Sequence, residues 1–325
     1  MSDNSDSKLP SERLHTVLGA GGAIAREVTR ELLAAKQLIR LVSRRPSPVT
    51  GGLETKAADL SDYRQALEAV AGTAVAYLCV GLKYDFKIWQ ELWPKIMRNT
   101  IDACKENGAR LVFFDNVYMY GRVDGPMTEE TPYNPCSKKG ELRAQIATDF
   151  MDEVRAENLT GMIARSADFY GPGCKTSILN LLVIDRLTAG KRAWWLGNIR
   201  AKHSFTFTPD AGKALVRLAL EDQSYSQVWH LPTARPALAG CDWIELCAKV
   251  IGRPPKHMTL PRPMVKLLGL FDSTIGEIYE MLYQNEADYI FDSSKIERAF
   301  GIAPTPARDA ITQTVSDGSV GQTRA

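Results

Sequence analysis

Long hydrophobic runs are missing from this chain. No apolar stretch reaches the roughly 18 residues that a membrane helix requires, so no membrane-spanning segment is expected. Charge of one sign is also missing. Forty Lys and Arg against 38 Asp and Glu leave a net charge of +2, which predicts neither a nucleic-acid partner nor an anionic membrane partner. Histidine is scarce, with four scattered copies, and the six cysteines (Cys79, Cys104, Cys136, Cys174, Cys241, Cys247) form no C-x-x-C pair. That pattern points away from a metal and toward reduced thiols in a cytoplasmic setting. Residues 1–12 are polar and lack the apolar core of a signal peptide. They read as a disordered tail, and residues 316–325 read likewise.

What is present is an alternation. The 325 residues are 45% hydrophobic and 24% charged, enough for a large α/β domain and a smaller one. Strands are predicted at 15–18, 38–42, 53–57, 74–80, 110–114, 160–165 and 227–231. Helices are predicted at 22–36, 61–71, 85–107, 137–157, 177–189 and 209–221. Continuous apolar runs such as Val75-Ala76-Tyr77-Leu78-Cys79-Val80 suit strands covered on both faces. Such alternation predicts a doubly wound parallel sheet of the Rossmann type. Beyond residue 231, Pro232, Pro236, Pro254, Pro255, Pro261 and Pro263 punctuate short helices. This stretch reads as a smaller, irregular C-terminal substrate-binding region. The expected division is 13–175 for dinucleotide binding, with 206–231 returning to it, and 176–205 plus 232–315 for substrate.

The strongest local signal is His15-Thr16-Val17-Leu18-Gly19-Ala20-Gly21-Gly22-Ala23-Ile24-Ala25, a strand that runs through glycines into a helix. Gly19 permits the tight turn. Gly21 and Gly22 let backbone N–H groups approach a pyrophosphate, and the helix N-terminus at Ala23 and Ile24 favours the anion. NAD sites place a carboxylate after the second strand to bind the ribose 2′-hydroxyl. Here Ser43-Arg44-Arg45 follows that strand, so NADP is expected over NAD. Asp59-Leu60 ends the third strand, where Asp59 either accepts from the adenine amino group or opens a helix starting at Ser61. Val80 and Gly81 after the fourth strand and Ala167 after the sixth complete the expected cofactor wall.

These landmarks, with Tyr120-Gly121, Arg165, Tyr170-Gly171-Pro172-Gly173 and Asp292-Ser293-Ser294-Lys295, resemble an extended short-chain dehydrogenase/reductase of the epimerase/dehydratase-like type. The resemblance spans about residues 14–312. It implies a catalytic Ser or Thr followed by Tyr-x-x-x-Lys, and this chain departs from it. The three positions hold Asn116, Lys139 and Arg143, and none of the eleven tyrosines begins a Tyr-x-x-x-Lys. Lys139 and Arg143 lie one helical turn apart. Lys139 is therefore expected to shuttle a proton as a neutral amine or to contact the cofactor, Arg143 to hold the ribose, and Asn116 to hold a substrate oxygen. Solvated charge on a first helical turn is the alternative for both cations. Tyr84 is a candidate for the missing phenol. Asp168 is expected to meet substrate or Lys139, or else to pair with Arg165. Tyr118, Tyr170 and His203 are expected to contact substrate; His203 stands where nucleotide-sugar members carry a diphosphate-binding Arg, and the loss of that Arg argues against a diphosphate substrate.

The resemblance, with NADP taken from Ser43-Arg44, leads to the expectation of an NADP-dependent oxidoreductase or epimerase acting on a small polar carbonyl, polyol or sugar. The rival expectation is a non-catalytic NADP-binding sensor. The resemblance also implies a homodimer through the helices 85–107 and 137–157, and 85–107 carries Phe86, Ile88, Trp89, Leu92, Trp93, Ile96 and Met97, more apolar surface than one sheet face needs.

Overall fold

The computed structural model describes residues 13–46, 53–269 and 273–322. The expected tail at 1–12 lies outside them. All seven expected strands form: β1 (Leu14–Leu18), β2 (Leu38–Ser43), β3 (Glu54–Ala57), β4 (Val75–Leu78), β5 (Arg110–Asp115), β6 (Gly161–Arg165) and β7 (Val228–His230). They make one seven-stranded parallel sheet in the order β7-β6-β5-β4-β1-β2-β3. The order reverses between β1 and β4, which are paired through His15↔Val75 to Leu18↔Leu78. In open α/β sheets the crevice beyond such a reversal receives ligands.

Helices cover both faces, which is why β4, with every residue buried, is apolar throughout. On one face α1 (Ala23–Ala34) packs with α5 (Thr208–Ala219) through Ile24, Val28, Leu32, Ala211, Leu215 and Leu218. The two helices approach closely because residue 212 has no side chain: a Cβ on Gly212 would stand 2.5 Å from that of Glu27. On the other face lie α2 (Tyr63–Val70), α3 (Phe86–Asn107) and α4 (Lys138–Arg155). Trp89, Trp93, Ile96, Met97 and Ile101 of α3 are buried in that layer, so much of the helix's apolar surplus is consumed within the chain.

A third core, built from Tyr170, Leu179, Val183, Trp195, Phe205, Trp243, Cys247 and Ile311, sits under the C-terminal region. Two-stranded pairs tie that region to the sheet. Asp168–Tyr170 pairs with Phe205–Phe207, and Pro126–Met127 with Ile290–Phe291. The helices there are α6 (Gly240–Ile251), α7 (Arg262–Leu268), α8 (Ser273–Tyr279), α9 (Ser294–Phe300) and α10 (Ala307–Gln322). Two expectations change. Residues 316–322 continue α10 instead of starting a tail, and the helix expected at 177–189 is a π turn at Asn180–Ile184 followed by one turn at Asp185–Thr188. Among the described residues no helix is long and apolar enough to cross a membrane.

Candidate active site

The glycine turn lies at the sheet's reversal. The N–H groups of Gly19 and Ala20 both donate to Val42 O at 2.9 Å, which fastens the turn to β2. Gly19 has φ +96°, and a Cβ there would stand 2.7 Å from Val80 Cα. Gly21 has φ +97°, and a Cβ there would meet nothing within 4 Å. Residue 19 thus needs glycine for packing and residue 21 for its backbone angle, with open space in front of it. Gly22 differs from the expectation. Its φ of −71° suits any residue, and its Cβ would meet only Gly19 O at 3.4 Å and Cys79 O at 3.7 Å. No side chain caps α1 and no acid lies in its first turn, so the positive end of the helix is left for an anionic ligand. Ile24 itself is buried in the core, and Gly81 opposite is exposed. This cradle fits a dinucleotide pyrophosphate.

Gly19→Ala is expected to remove dinucleotide binding and to lower the urea midpoint, because the backbone angle and the Val80 contact both oppose a methyl group. Calorimetric titration with NADH checks this; affinity equal to the parent chain refutes it.

At the adenosine end, Ser43 is half-buried and Arg44 exposed. Asp59 accepts from Ser61 N at 2.9 Å and Ser61 Oγ at 2.7 Å. These bonds, and to a lesser degree the Arg44 charge, hold its carboxyl below the usual range. Asp59 is not the helix cap: α2 begins at Tyr63 and is capped by Asp62. Leu60 is buried, and its carbonyl accepts from Asn99 Nδ2 at 3.0 Å.

The positions of the missing Tyr and Lys are both occupied by fully engaged cations. Arg143 is 3% exposed, donates from Nε to Asp115 Oδ1 at 2.9 Å and again from Nη2, and lies over Trp93 with its Cζ 4.4 Å from the ring centre. It therefore points into the core and is engaged by Asp115, whereas a guanidinium free to meet the ribose was expected. Lys139 is likewise no solvated first-turn charge. Its side chain is fully buried, and Nζ pairs with Glu277, meets Glu277 O at 3.3 Å and stands 3.8 Å from Glu280. Glu280 also accepts from Lys139 N at 2.9 Å, and Glu277 from Phe86 N at 3.1 Å. The amine is an ion-pair partner of the C-terminal region, not a free base. Asn116 uses Oδ1 to accept from Tyr118 N at 3.0 Å, which shapes the turn after β5.

Asp168 and His203 come together: His203 Nε2 and Asp168 Oδ2 are 3.0 Å apart, with the imidazole 2% exposed and the carboxylate 20% exposed. His203 stacks on Tyr289 with ring centres 4.5 Å apart. Arg165 pairs with Asp115, not Asp168. Tyr84 and Tyr118 bring their hydroxyls to 3.4 Å, and Lys139 Nζ lies 4.9 Å from the centre of the Tyr84 ring. Burial pushes both phenols above the ordinary range, and the neighbouring Asp168 charge adds to it. Ala167 is buried, its N–H donating to Thr206 Oγ1 at 3.1 Å. Tyr170 is a correction: it is fully buried among Phe205, Phe207 and Trp243 and faces no substrate crevice.

Sequence reasoning missed Glu277 and Glu280, which lie in a short-helix stretch with no periodic signal. It also assigned no task to Asp115, although a carboxylate ending the apolar run Leu111-Val112-Phe113-Phe114 is itself a sign of a buried partner.

A family model described as "NAD dependent epimerase/dehydratase family" matches residues 15–229. No curated protein matches the sequence. Among solved structures, MoeE5 in complex with UDP-glucose and NAD is similar at 19% identity and a TM-score of 0.77, over 95% of this chain and 99% of that one. The UDP-glucose 4-epimerase of Thermus thermophilus, in complex with NAD, is similar at 16% identity and a TM-score of 0.75, over 94% and 98%. The dTDP-glucose 4,6-dehydratase DesIV of Streptomyces venezuelae, with NAD and TYD bound, is similar at 17% identity and a TM-score of 0.76, over 95% and 98%. The expectation of NADP is corrected by these structures, all three of which hold NAD. Arg44, which motivated NADP, has the Asp59 carboxylate near it, so a 2′-phosphate would meet charge of both signs. The expectation of a small carbonyl or polyol is corrected likewise, since these relatives in fold act on or hold nucleotide sugars and nucleotides.

Proposed function

Because the chain belongs to the NAD dependent epimerase/dehydratase family, we propose that it binds NAD in the crevice between β1 and β4 and carries out epimerase- or dehydratase-type chemistry on a nucleotide sugar. Family membership makes it an enzyme of the NAD(P)-dependent oxidoreductase and epimerase class, which answers the rival expectation of a non-catalytic sensor. The observation that carries the proposal is one of placement. The open glycine cradle and the cluster of Tyr84, Tyr118, Asn116 and Asp168 all follow the carboxyl ends of β1, β4, β5 and β6.

Residues 13–175 with 206–231 form the dinucleotide-binding part in this reading, and 176–205 with 232–315 form the substrate part. NAD supplies a hydride acceptor when bound. The backbone of residues 19–24 holds its pyrophosphate, and Asp59 accepts from the adenosine end. Tyr84, Tyr118 and Asn116 orient sugar hydroxyls. The region bearing Glu277 and Glu280 closes over Lys139 and keeps water from the nicotinamide.

The test is a fluorescence titration with NADH and NADPH, followed by incubation of the NAD-loaded enzyme with UDP- and dTDP-hexoses under chromatography. NADH is expected to bind at least tenfold more tightly, and one sugar nucleotide to be converted. Equal affinity for NADPH refutes the cofactor assignment; absence of conversion across the panel refutes the substrate class.

A further inference from the structure

Besides Asp59 at the adenosine end, four carboxylates of the site have been described, and three are spent on cations. Asp115 is shared by Arg143 and Arg165, and Glu277 and Glu280 are taken by Lys139. Among the described residues, Asp168 has only an imidazole as its ion-pair partner. It opens the strand Asp168–Tyr170, three residues past the carboxyl end of β6, and is the more accessible member of its pair.

The ring of His203 is held by packing and through Nε2, while its buried Nδ1 has no hydrogen-bond partner among the described residues. His203 is packed against Tyr289 and Phe205, with ring centres 4.5 and 4.6 Å away, its backbone N–H donates to Leu238 O at 2.8 Å, and its backbone carbonyl accepts from Trp243 Nε1 at 2.8 Å. A buried ring held this way orients one carboxylate oxygen, Oδ2, through its Nε2 at 3.0 Å, and the carboxylate lies near enough to Tyr84 and Tyr118 for its charge to act on both phenols. The tyrosines do not compete for the role. Burial keeps the phenols of Tyr84 and Tyr118 protonated, so they serve as hydrogen-bond donors.

We propose that Asp168, positioned by His203, is the proton acceptor that replaces the family's tyrosine in this chain. The assignment rests on the function proposed above. In the oxidising half-reaction the sugar carbon's C–H bond gives hydride, with its electron pair, to the oxidised nicotinamide. The hydroxyl O–H bond breaks as the C=O bond forms, and that proton moves to the free oxygen of Asp168. The reverse step returns both. Net charge and electrons balance with NAD as the one co-reactant.

The experiment uses the full chain with NAD and whichever sugar nucleotide the panel identifies. Single-turnover absorbance of the reduced nicotinamide is followed for Asp168→Asn, Asp168→Glu, His203→Phe, His203→Gln, Tyr84→Phe and Tyr118→Phe, with NAD affinity measured separately by calorimetry. Asp168→Asn is expected to slow the step by about 10²–10⁴-fold while NAD affinity changes by less than about threefold, which also shows that the variant is folded. Asp168→Glu is expected to retain part of the rate. His203→Phe, which keeps the ring stack and loses the donor, is expected to lower kcat with KM unchanged, and His203→Gln to restore most of it. Full activity in Asp168→Asn, or a comparable loss confined to Tyr84→Phe or Tyr118→Phe, overturns the assignment. If the parent chain binds NAD but converts no sugar nucleotide, the proposed function has failed and this assignment falls with it. If it converts one and Asp168→Asn does so equally well, only this assignment has failed.

Discussion

Asp115→Asn is expected to destabilise the protein by about 3–5 kcal/mol, the cost of leaving buried charge unpaired. Asp115 is fully buried and is the counter-charge of two guanidiniums at once, Arg143 at 3% and Arg165 at 0% exposure. Neither arginine has an exit. Arg143 is walled by Trp93 and Phe113, with ring centres 4.4 and 5.1 Å from its Cζ. Arg165 donates to Tyr120 Oη at 2.7 Å and to Tyr133. The amide retains shape and some hydrogen bonding but removes the charge. Urea denaturation at pH 7 reads the loss, and a midpoint within error of the parent chain refutes it. The same carboxylate accepts from Asn116 N at 2.8 Å. A folded remnant is therefore also expected to lose order in the turn that carries Tyr118.

Acid is expected to unfold the protein through two histidines. Burial lowers His15 to about 4 and His230 to about 3, while both titrate near 6.5 when unfolded. Each hydrogen-bonds to a tyrosine and feels nearby positive charge, Arg13 at His15 and Arg165 and Lys295 at His230. His15 Nδ1 meets Tyr77 Oη at 3.0 Å. His230 accepts from Tyr120 at Nε2, 2.9 Å away, and donates from Nδ1 to Asp292 O at 2.8 Å. Between pH 6.5 and 4 the unfolded chain binds protons that the folded chain refuses, so stability falls as pH falls and is complete above about 6.5. The two sites together cost about 4 kcal/mol between pH 7 and pH 5. Urea midpoints at pH 7, 6 and 5 test this, with His15→Gln expected to halve the slope. A flat profile across that range refutes it.

The local grammar of the chain is enough for the sheet. Seven short runs became its seven strands; the inner ones are mostly apolar because burial on both faces demands apolar residues in succession, while β3 (Glu54–Ala57) is a polar edge strand. The glycine turn is equally local. Gly19 and Gly21 adopt positive φ within a single strand-to-helix junction, and no distant residue is needed to recognise it. The family resemblance rests on the same short-range landmarks and holds for the same reason. Gly22 marks the limit: Gly19 and Gly21 before it need glycine, and it does not.

Only the tertiary structure decided what the polar groups do. Lys139 and Arg143 stand where the missing Tyr and Lys were expected, yet their tasks are set by Glu277, 138 residues away, and Asp115, 28 residues away. Asp168 is matched to His203 across 35 residues rather than to the nearby Arg165. Tyr170 lies two residues beyond Asp168 and ends in the core. A charge in a low-dielectric interior acts through whichever partner the fold brings within a few ångströms, and sequence periodicity carries no record of that partner. The backbone path is written in short-range patterning, whereas the chemistry of the site is written in contacts that exist only once the sheet and the C-terminal region have closed on each other.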